Sequence, residues 1–186
     1  MILKIVFCLI FGYLFGNFST GYFVGRMNKV DIRKYGSGNI GTTNTLRTLG
    51  VKAAILTLSG DVFKAVIPIV LVKLVFFPGN YQLDLLALYT GLGVVIGHNY
   101  PFWLKFKGGK GMAATGGAMA AFDPLIMPFG LPLFIISIAI TRYVSVGSLL
   151  VALLFPVWIL IRFPGNVHML IVSLIFMASA FFMHRS

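Results

Sequence analysis

Residues 2–24 read ILKIVFCLIFGYLFGNFSTGYFV, and this nearly uninterrupted apolar stretch decides the fold class. A helix that crosses a bilayer needs roughly 20 apolar residues, which this stretch supplies. It is longer than the apolar region of a cleaved signal peptide, and it lacks a clear A-x-A cleavage site. We therefore interpret it as the first membrane-spanning helix.

The rest of the chain repeats this apolar character. The 186 residues are 59% hydrophobic and 10% charged, whereas a soluble domain carries about 25% charged residues. The segment 110–122 is short and rich in small residues, which allow helix backbones to approach closely. We predict an all-α integral membrane protein, a single polytopic domain over 1–186 with about seven transmembrane helices, at 2–24, 52–77, 83–97, 110–122, 124–141, 144–161 and 166–184.

The distribution of charge predicts the orientation. The chain has fifteen Lys and Arg residues and only four acidic residues, all Asp, which gives a net charge of +11. Because most of the cations lie in short loops, they indicate membrane topology rather than nucleic-acid binding. With the N-terminus outside and the C-terminus inside, the outer face keeps only Lys4, Lys73 and Arg162. The cytoplasmic face then carries eleven cations, namely Arg26, Lys29, Arg33, Lys34, Arg47, Lys52, Lys105, Lys107, Lys110, Arg142 and Arg185.

A first glycine-rich loop, YGSGNIGTTNTLR at 35–47, follows the first span. Glycines free backbone N–H groups for close approach, and hydroxyl, amide and guanidinium groups add donors for a phosphate. The alternative is a polar turn that caps two helices. We expect a short helix within 40–50, with Asn39 as its N-cap and Gly50 as its stop. The candidate phosphate-binding residues are Gly36, Ser37, Gly38, Asn39, Gly41, Thr42, Thr43, Asn44 and Arg47.

A second glycine-rich loop, GHNYPFWLKFKGGKG at 97–111, precedes the short fourth span. It is not a Walker A loop, because Leu104 replaces the first glycine and Gly111 the final Ser or Thr, so nucleotide hydrolysis is not supported. We expect Lys105 and Lys107 either to set the membrane topology or to contact anionic lipid. The nearby aromatic residues suit an interfacial belt or an acyl-chain entrance. The predicted phosphate clamp is Lys110, with His98, Gly108, Gly109 and Gly111 around it.

Other patterns limit the chemistry. Asp61 and Lys64, three residues apart within the second span, either form a structural ion pair or orient a ligand-binding group. No histidine pair has metal-ligand spacing, so we predict no metal and no cofactor. The chain lacks a G-x-S-x-G nucleophile motif, and Trp103 stands where an H-x-x-x-x-D acyltransferase pattern would need its acid.

Together these motifs resemble those of the bacterial acyl-phosphate:glycerol-3-phosphate acyltransferases of the PlsY type, and the similarity covers almost the whole chain. The matching pieces are GSGNIGTTN at 36–44 with Arg47, Asp61-x-x-Lys64 with Pro68, GHxYP at 97–101, FKGGKG at 106–111, and His184-Arg185. In the family the third motif continues with an asparagine, basic residues and a glutamate, whereas this chain stops at Ser186. We expect either a truncated chain or a member that works without that tail.

The resemblance implies a seven-helix enzyme of the bacterial inner membrane with its site on the cytoplasmic face. It implies transfer of a fatty acyl group from acyl phosphate to the 1-hydroxyl of glycerol 3-phosphate, giving lysophosphatidic acid and phosphate. His98 would shape the site and His184 would be the histidine of the third motif. On this basis the expected catalytic residues are Ser37, Arg47, Lys110 and His184, and the expected partners are the two substrates and membrane lipid, with no obligatory protein partner.

The expected mechanism is direct attack by the substrate hydroxyl, because acyl phosphate is already activated. Catalysis then requires positioning and charge stabilisation, and a substrate phosphate takes the proton. The rival hypothesis is a non-catalytic membrane transporter or a protein that binds anionic lipid headgroups or phosphate. A transporter should show inverted repeats with broken helices near the middle of the membrane. The glycine-rich segments lie instead at the ends of spans on one side.

Overall fold

The computed structural model describes residues 1–185, and Ser186 lies outside this range. The chain is 78% helix, and the described residues contain no strand. Nine α-helices are present in this part of the chain: α1 Ile2–Gly16, α2 Thr20–Met27, α3 Thr42–Leu49, α4 Val51–Leu71, α5 Leu83–Asn99, α6 Met112–Phe122, α7 Met127–Thr141, α8 Val144–Arg162 and α9 Val167–Met183.

Most of the predicted spans correspond to single helices, and the all-helical membrane fold is confirmed. Four segments are long and apolar enough to cross a membrane, namely Ile2–Met27, Val51–Phe76, Pro124–Thr141 and Val144–Arg162. The second of these ends in a π-helical turn, Val72–Phe76. The apolar helices α6 and α9 are shorter, so the count of about seven crossings stays a prediction.

The first predicted span is broken, contrary to the single helix that we expected for residues 2–24. Helix α1 ends at Gly16 and α2 begins at Thr20. At the break, the Asn17 Oδ1 accepts a hydrogen bond from the Phe102 N–H at 2.9 Å. The Asn17 carbonyl accepts one from the Trp103 indole at 2.8 Å. The side chain and the backbone carbonyl of Asn17 at the break therefore both bind the second glycine-rich loop.

Helices α1 and α5 pack through glycines on both partners. A Cβ at Gly12 would overlap the Thr90 carbonyl of α5, and one at Gly93 would overlap the Leu9 carbonyl of α1. Gly16 and Gly97 repeat these contacts one turn further along. Small residues at such spacing let helix backbones come into contact. Because lipid is as apolar as the side chains, membrane helices associate largely through such van der Waals contacts.

Helix α5 lies at the centre of the bundle, with most of its residues buried. The main core fills the space between α5 and helices α4, α6, α8 and α9, with Phe155 and Phe176 packed edge to face. The single cysteine, Cys8, is fully buried, and it packs against Leu86 of α5.

Polar residues also hold the end of the bundle that is remote from the glycine-rich loops. The Asp123 carboxylate accepts hydrogen bonds from the Trp158 indole at 3.0 Å and from Arg162 at 3.3 Å. Its other oxygen accepts a hydrogen bond from the Leu125 N–H and so caps the turn that precedes α7. The exposed His168 at the start of α9 contacts the Tyr89 hydroxyl at 2.6 Å.

Candidate active site

The two glycine-rich loops meet at one end of the bundle. Ile32 precedes the first loop, Ile40 lies within it, and Leu104 lies in the second loop. These three residues are almost fully buried and form one small apolar cluster. Helix α2 also supports the first loop, because Gly21 lets the Ile40 carbonyl approach its backbone closely. The cluster therefore fixes one loop against the other.

The first loop leads into α3, as the sequence predicts, and Gly50 ends that helix. The N-cap is Gly41 rather than Asn39, which corrects the prediction. The Asn39 Oδ1 instead accepts a hydrogen bond from the Gly41 N–H at 2.8 Å. Gly36 and Gly38 have φ angles of 57° and 71°, a region that other residues rarely adopt. The glycines are therefore needed to shape the turn.

Asn44 holds the first loop together from inside. Its Oδ1 accepts a hydrogen bond from the Ser37 N–H at 2.9 Å. Its Nδ2 donates to the carbonyls of Asn39 at 2.8 Å, Tyr35 at 3.0 Å and Ile32 at 3.3 Å. Since Asn44 is 2% exposed and both its polar atoms are engaged, its side chain organises the loop rather than presenting a donor to a ligand.

Other residues of the first loop face outward. Ser37 and Arg47 are exposed, and within residues 1–185 the Arg47 side chain makes no hydrogen bond or ion pair. The half-buried Thr42 and Thr43 form the first turn of α3. The N–H groups of that turn have no partner inside the helix, and the helix dipole is positive there. A serine, an arginine and free backbone donors suit an anionic group.

The second loop folds back on the end of α5. The Gly109 N–H donates to the His98 carbonyl at 3.1 Å, and the Gly108 N–H donates to the Asn99 carbonyl at 3.0 Å. Gly111, with φ 76°, is the N-cap of α6. Lys110 is half-buried and directly precedes this cap. The loop therefore places a lysine at the N-terminal end of a helix, as the sequence predicts.

A buried charged cluster lies beneath the second loop. The Lys64 ammonium lies 2.9 Å from the Asp61 carboxylate and donates hydrogen bonds to the Phe18 carbonyl at 2.8 Å and the His98 Nδ1 at 2.7 Å. An ammonium group only donates, so the His98 Nδ1 accepts and the ring proton lies on Nε2. That nitrogen packs against Gly109. The predicted ion pair thus joins the α1–α2 break, α4 and α5.

His184 lies near Lys110, although the two are 74 positions apart in the sequence. The His184 Nδ1–H donates to the Ala180 carbonyl at 2.8 Å. Partial burial lowers the pKa of His184, the bond to Ala180 opposes this, and the positive charge of Lys110 lowers it further. The end of α9 therefore joins the second loop at the same end of the bundle.

Two asparagines that the motifs do not single out, Asn17 and Asn99, also position the site. Asn17 ties the α1–α2 break to the second loop, as described above. The Asn99 backbone carbonyl accepts a hydrogen bond from the Gly108 N–H, and its Nδ2 donates one to the Ser179 hydroxyl at 3.2 Å. Asn99 is 1% exposed. An asparagine at the end of an apolar helix is a signal that could have identified both, because burying an amide is costly unless it is hydrogen-bonded.

Comparison with known proteins identifies the family. The family model for glycerol-3-phosphate acyltransferase matches residues 6–186. A glycerol-3-phosphate acyltransferase of Clostridioides difficile is 42% identical, over 100% of this chain and 90% of its own length. One from Prochlorococcus marinus is 40% identical, over 95% of this chain and 89% of its own length.

Solved structures agree with the sequence relatives. The crystal structure of PlsY (YgiH), an integral membrane glycerol 3-phosphate acyltransferase, in its glycerol 3-phosphate form superimposes with a TM-score of 0.84 at 33% identity, covering 97% of this chain and 88% of that one. Its lysophosphatidic acid form gives a TM-score of 0.83 at 31% identity, with the same coverage. These relatives favour the acyltransferase over the rival hypothesis of a non-catalytic membrane transporter or a protein that binds anionic lipid headgroups or phosphate. This chain belongs to the glycerol-3-phosphate acyltransferase family and is a membrane acyltransferase.

Proposed function

We propose that the enzyme transfers a fatty acyl group from acyl phosphate to the 1-hydroxyl of glycerol 3-phosphate, giving lysophosphatidic acid and phosphate. The observation that carries this proposal is the junction of two phosphate-suited loops at one end of a membrane bundle. Two phosphorylated substrates account for two such loops, and an acyl tail accounts for a site at the membrane. The related PlsY structures have a glycerol 3-phosphate form and a lysophosphatidic acid form.

In this proposal Ser37, Arg47 and Lys110 contact the phosphates. Arg47 can hold two phosphate oxygens at once, and Lys110 supplies a point charge beside the N-terminus of α6. The first turn of α3 adds backbone donors, together with the hydroxyls of Thr42 and Thr43. The glycines of both loops allow close approach, at Gly36, Gly38, Gly41, Gly108, Gly109 and Gly111.

Most of the remaining predicted residues hold the loops in place and do not contact the substrates themselves. Asn39 and Asn44 hold the first loop by the hydrogen bonds described above. His98 holds the second loop, and the pair Asp61–Lys64 fixes the ring of His98. We assign His184 to the site because it caps the end of α9 close to Lys110.

The reaction needs no covalent enzyme intermediate and no added cofactor. The hydroxyl oxygen of glycerol 3-phosphate attacks the acyl carbonyl carbon, and the bond from that carbon to the phosphate oxygen breaks. Phosphate leaves, and the hydroxyl proton passes to a substrate phosphate. Lys110 and Arg47 stabilise the charge that develops on the reacting groups, which is the main catalytic contribution in this scheme.

The site is proposed to face the cytoplasm of a bacterial inner membrane. Both loops and the end of α9 share one end of the bundle, whereas Arg162 lies with Asp123 at the other. Lys73 lies at that other end too, where it donates to the Phe122 carbonyl at 3.0 Å. Eleven cations on the loop side against three on the other match the rule that cytoplasmic loops are rich in Lys and Arg.

Substitution of the two charged residues tests the placement of the site. We expect Lys110→Ala and Arg47→Ala each to lower turnover by about 100-fold or more, since each removes a charge that stabilises the transition state. The measurement is formation of lysophosphatidic acid by purified protein, with membrane insertion checked in parallel. Lys52→Ala and Arg142→Ala, exposed cations at the same end, are the controls. Normal rates in either Lys110→Ala or Arg47→Ala would show that the site is misplaced.

A further inference from the structure

A basic cavity of about 460 Å³ lies at the loop end of the bundle, and none of the residues assigned above to catalysis or phosphate binding lines it. Its lining consists of Tyr22, Arg33, Trp103, Leu104, Lys105 and Lys107. Three of these six residues are cations and two are amphipathic aromatics. Such aromatics are enriched where membrane meets water. The composition therefore suits an anionic ligand held at the surface of the bilayer.

The aromatic wall of the cavity is rigid. The Tyr22 and Trp103 rings meet edge to face with their centroids 5.3 Å apart. The Trp103 indole is fixed by its hydrogen bond to the Asn17 carbonyl. The Arg33 guanidinium lies 5.0 Å from the centroid of Tyr22. A ligand would meet a wall that is already formed, which reduces the entropy lost on binding.

Lys105 and Lys107 supply the net charge of the cavity. Arg33 is already paired with Asp31 through two contacts of 2.9 Å, and its hydrogen bonds hold the pKa of Asp31 at about 2. This pair therefore contributes no net charge at neutral pH. Lys105 and Lys107 are exposed, and within residues 1–185 neither side chain makes a hydrogen bond or an ion pair.

The backbone that carries these lysines has an unusual conformation. Lys105 and Phe106 have φ angles of 54° and 57°, which are uncommon for residues with side chains and unfavourable for a bulky one. The turn is held by a hydrogen bond from the Phe106 N–H to the Pro101 carbonyl at 3.0 Å and one from the Lys107 N–H to the Leu104 carbonyl at 3.2 Å. Strained backbone of this kind concentrates at binding sites.

An exposed apolar track continues from the cavity. Phe23 packs on Trp103 with the ring centroids 5.5 Å apart, and Phe18 stacks on Phe23 at 4.7 Å. Phe18 is 52% exposed and Phe23 is 38% exposed. These two rings lie at the α1–α2 break and on α2, within a segment long and apolar enough to span the membrane. The track thus offers a surface for an acyl chain beside a charged cavity.

We propose that this cavity binds the headgroup of an anionic phospholipid. Its phosphate lies between Lys105 and Lys107, its glycerol backbone lies against Trp103, and one acyl chain follows Phe23 and Phe18. Free phosphate shares the charge but would leave the aromatic wall and the phenylalanine track unused. The ligand is therefore a lipid distinct from the substrates that bind at Lys110 and Arg47.

The two tryptophans of the chain allow a direct test, because Trp103 lies in the cavity and Trp158 contacts Asp123 at the opposite end. In a Trp158→Phe protein, Trp103 is the only tryptophan. This protein is placed in phosphatidylcholine nanodiscs that contain a small fraction of brominated phosphatidylglycerol or brominated phosphatidylcholine. Quenching of tryptophan fluorescence reports the association of each lipid. Native mass spectrometry of the unsubstituted protein counts bound phosphatidylglycerol independently.

We expect about a fivefold preference or more for phosphatidylglycerol, which the double variant Lys105→Gln/Lys107→Gln removes. The charge-matched variant Lys52→Gln/Arg142→Gln should keep it, since neither residue lines the cavity. Equal quenching by the two lipids would overturn the proposal, as would equal loss in both double variants, which indicates a diffuse surface charge. Loss of the preference on addition of millimolar inorganic phosphate would assign the cavity to a soluble anion and overturn it too.

Discussion

Asn44 and Ser37 lie in the same loop but differ in burial, so their substitutions separate folding from chemistry. Asn44→Ala removes four hydrogen bonds and leaves buried partners unsatisfied, which we expect to cost about 1–3 kcal/mol of stability. Ser37→Ala keeps the backbone bond to Asn44 and should lower turnover without changing the melting temperature. Thermal unfolding and turnover in detergent measure both effects. A stable, active Asn44→Ala protein would contradict the account of this loop.

His184 should titrate below the ordinary histidine value of 6.5, because burial and Lys110 both disfavour its charged form. Unfolding then takes up a proton as the pH falls below 6.5, so the folded protein loses stability on that side and keeps it above. NMR titration of labelled histidine gives the midpoint. Lys110→Gln should raise this midpoint, since it removes a repulsive charge. A midpoint that Lys110→Gln leaves unchanged would contradict the proximity of the two residues.

Single residues also show what the sequence can predict at this scale. Positive φ angles at Gly36 and Gly38 follow from the glycine pattern, and the structure confirms them. The inward role of Asn44 could not be predicted, because an amide that binds phosphate and one that binds loop carbonyls look identical in a sequence. The local N-cap at Gly41 was missed for a related reason, since Asn39 bonds the Gly41 N–H rather than one in the first turn of α3.

At the scale of elements, the glycines between α1 and α5 should be far less tolerant than others. Gly12→Ala and Gly93→Ala place a methyl group on facing backbone, and we expect each to cost about 1–3 kcal/mol. Gly116→Ala in α6 is the control, because no atom beyond the neighbouring backbone of its own helix lies within 4 Å of the added Cβ. Alanine is also the better helix former, by about 1 kcal/mol. Thermal unfolding of the three variants provides the comparison.

Equal stability of all three glycine variants would show that α1 and α5 do not pack through these positions. The positions of the helices themselves follow well from hydropathy, because apolar length largely determines them. The break at Asn17 does not, because its hydrogen-bond partners Phe102 and Trp103 are about 85 positions away. A continuous apolar pattern in the sequence cannot predict such long-range hydrogen bonds.

At the scale of the whole molecule, the buried cluster under the second loop combines predicted and unpredicted contacts. Spacing alone predicts the pair Asp61–Lys64. The bonds from Lys64 to Phe18 and His98 join residues 46 and 34 positions apart, and the fold had to be known before they could be seen. The same holds for His184 beside Lys110. The motifs thus predict which kinds of side chain form the site. They do not predict which of these side chains lie next to one another, because helix packing determines that.

The most direct test of the account measures phosphate release from palmitoyl phosphate by the purified chain, with and without glycerol 3-phosphate. We have proposed that acyl phosphate is the donor and that the two loops bind the phosphates of the two substrates. Both proposals require that the release of phosphate depends on the acceptor, glycerol 3-phosphate. We predict such release, with lysophosphatidic acid formed in equal amount, and no reaction when palmitoyl-CoA replaces palmitoyl phosphate. Formation of lysophosphatidic acid from palmitoyl-CoA but not from palmitoyl phosphate would contradict the account.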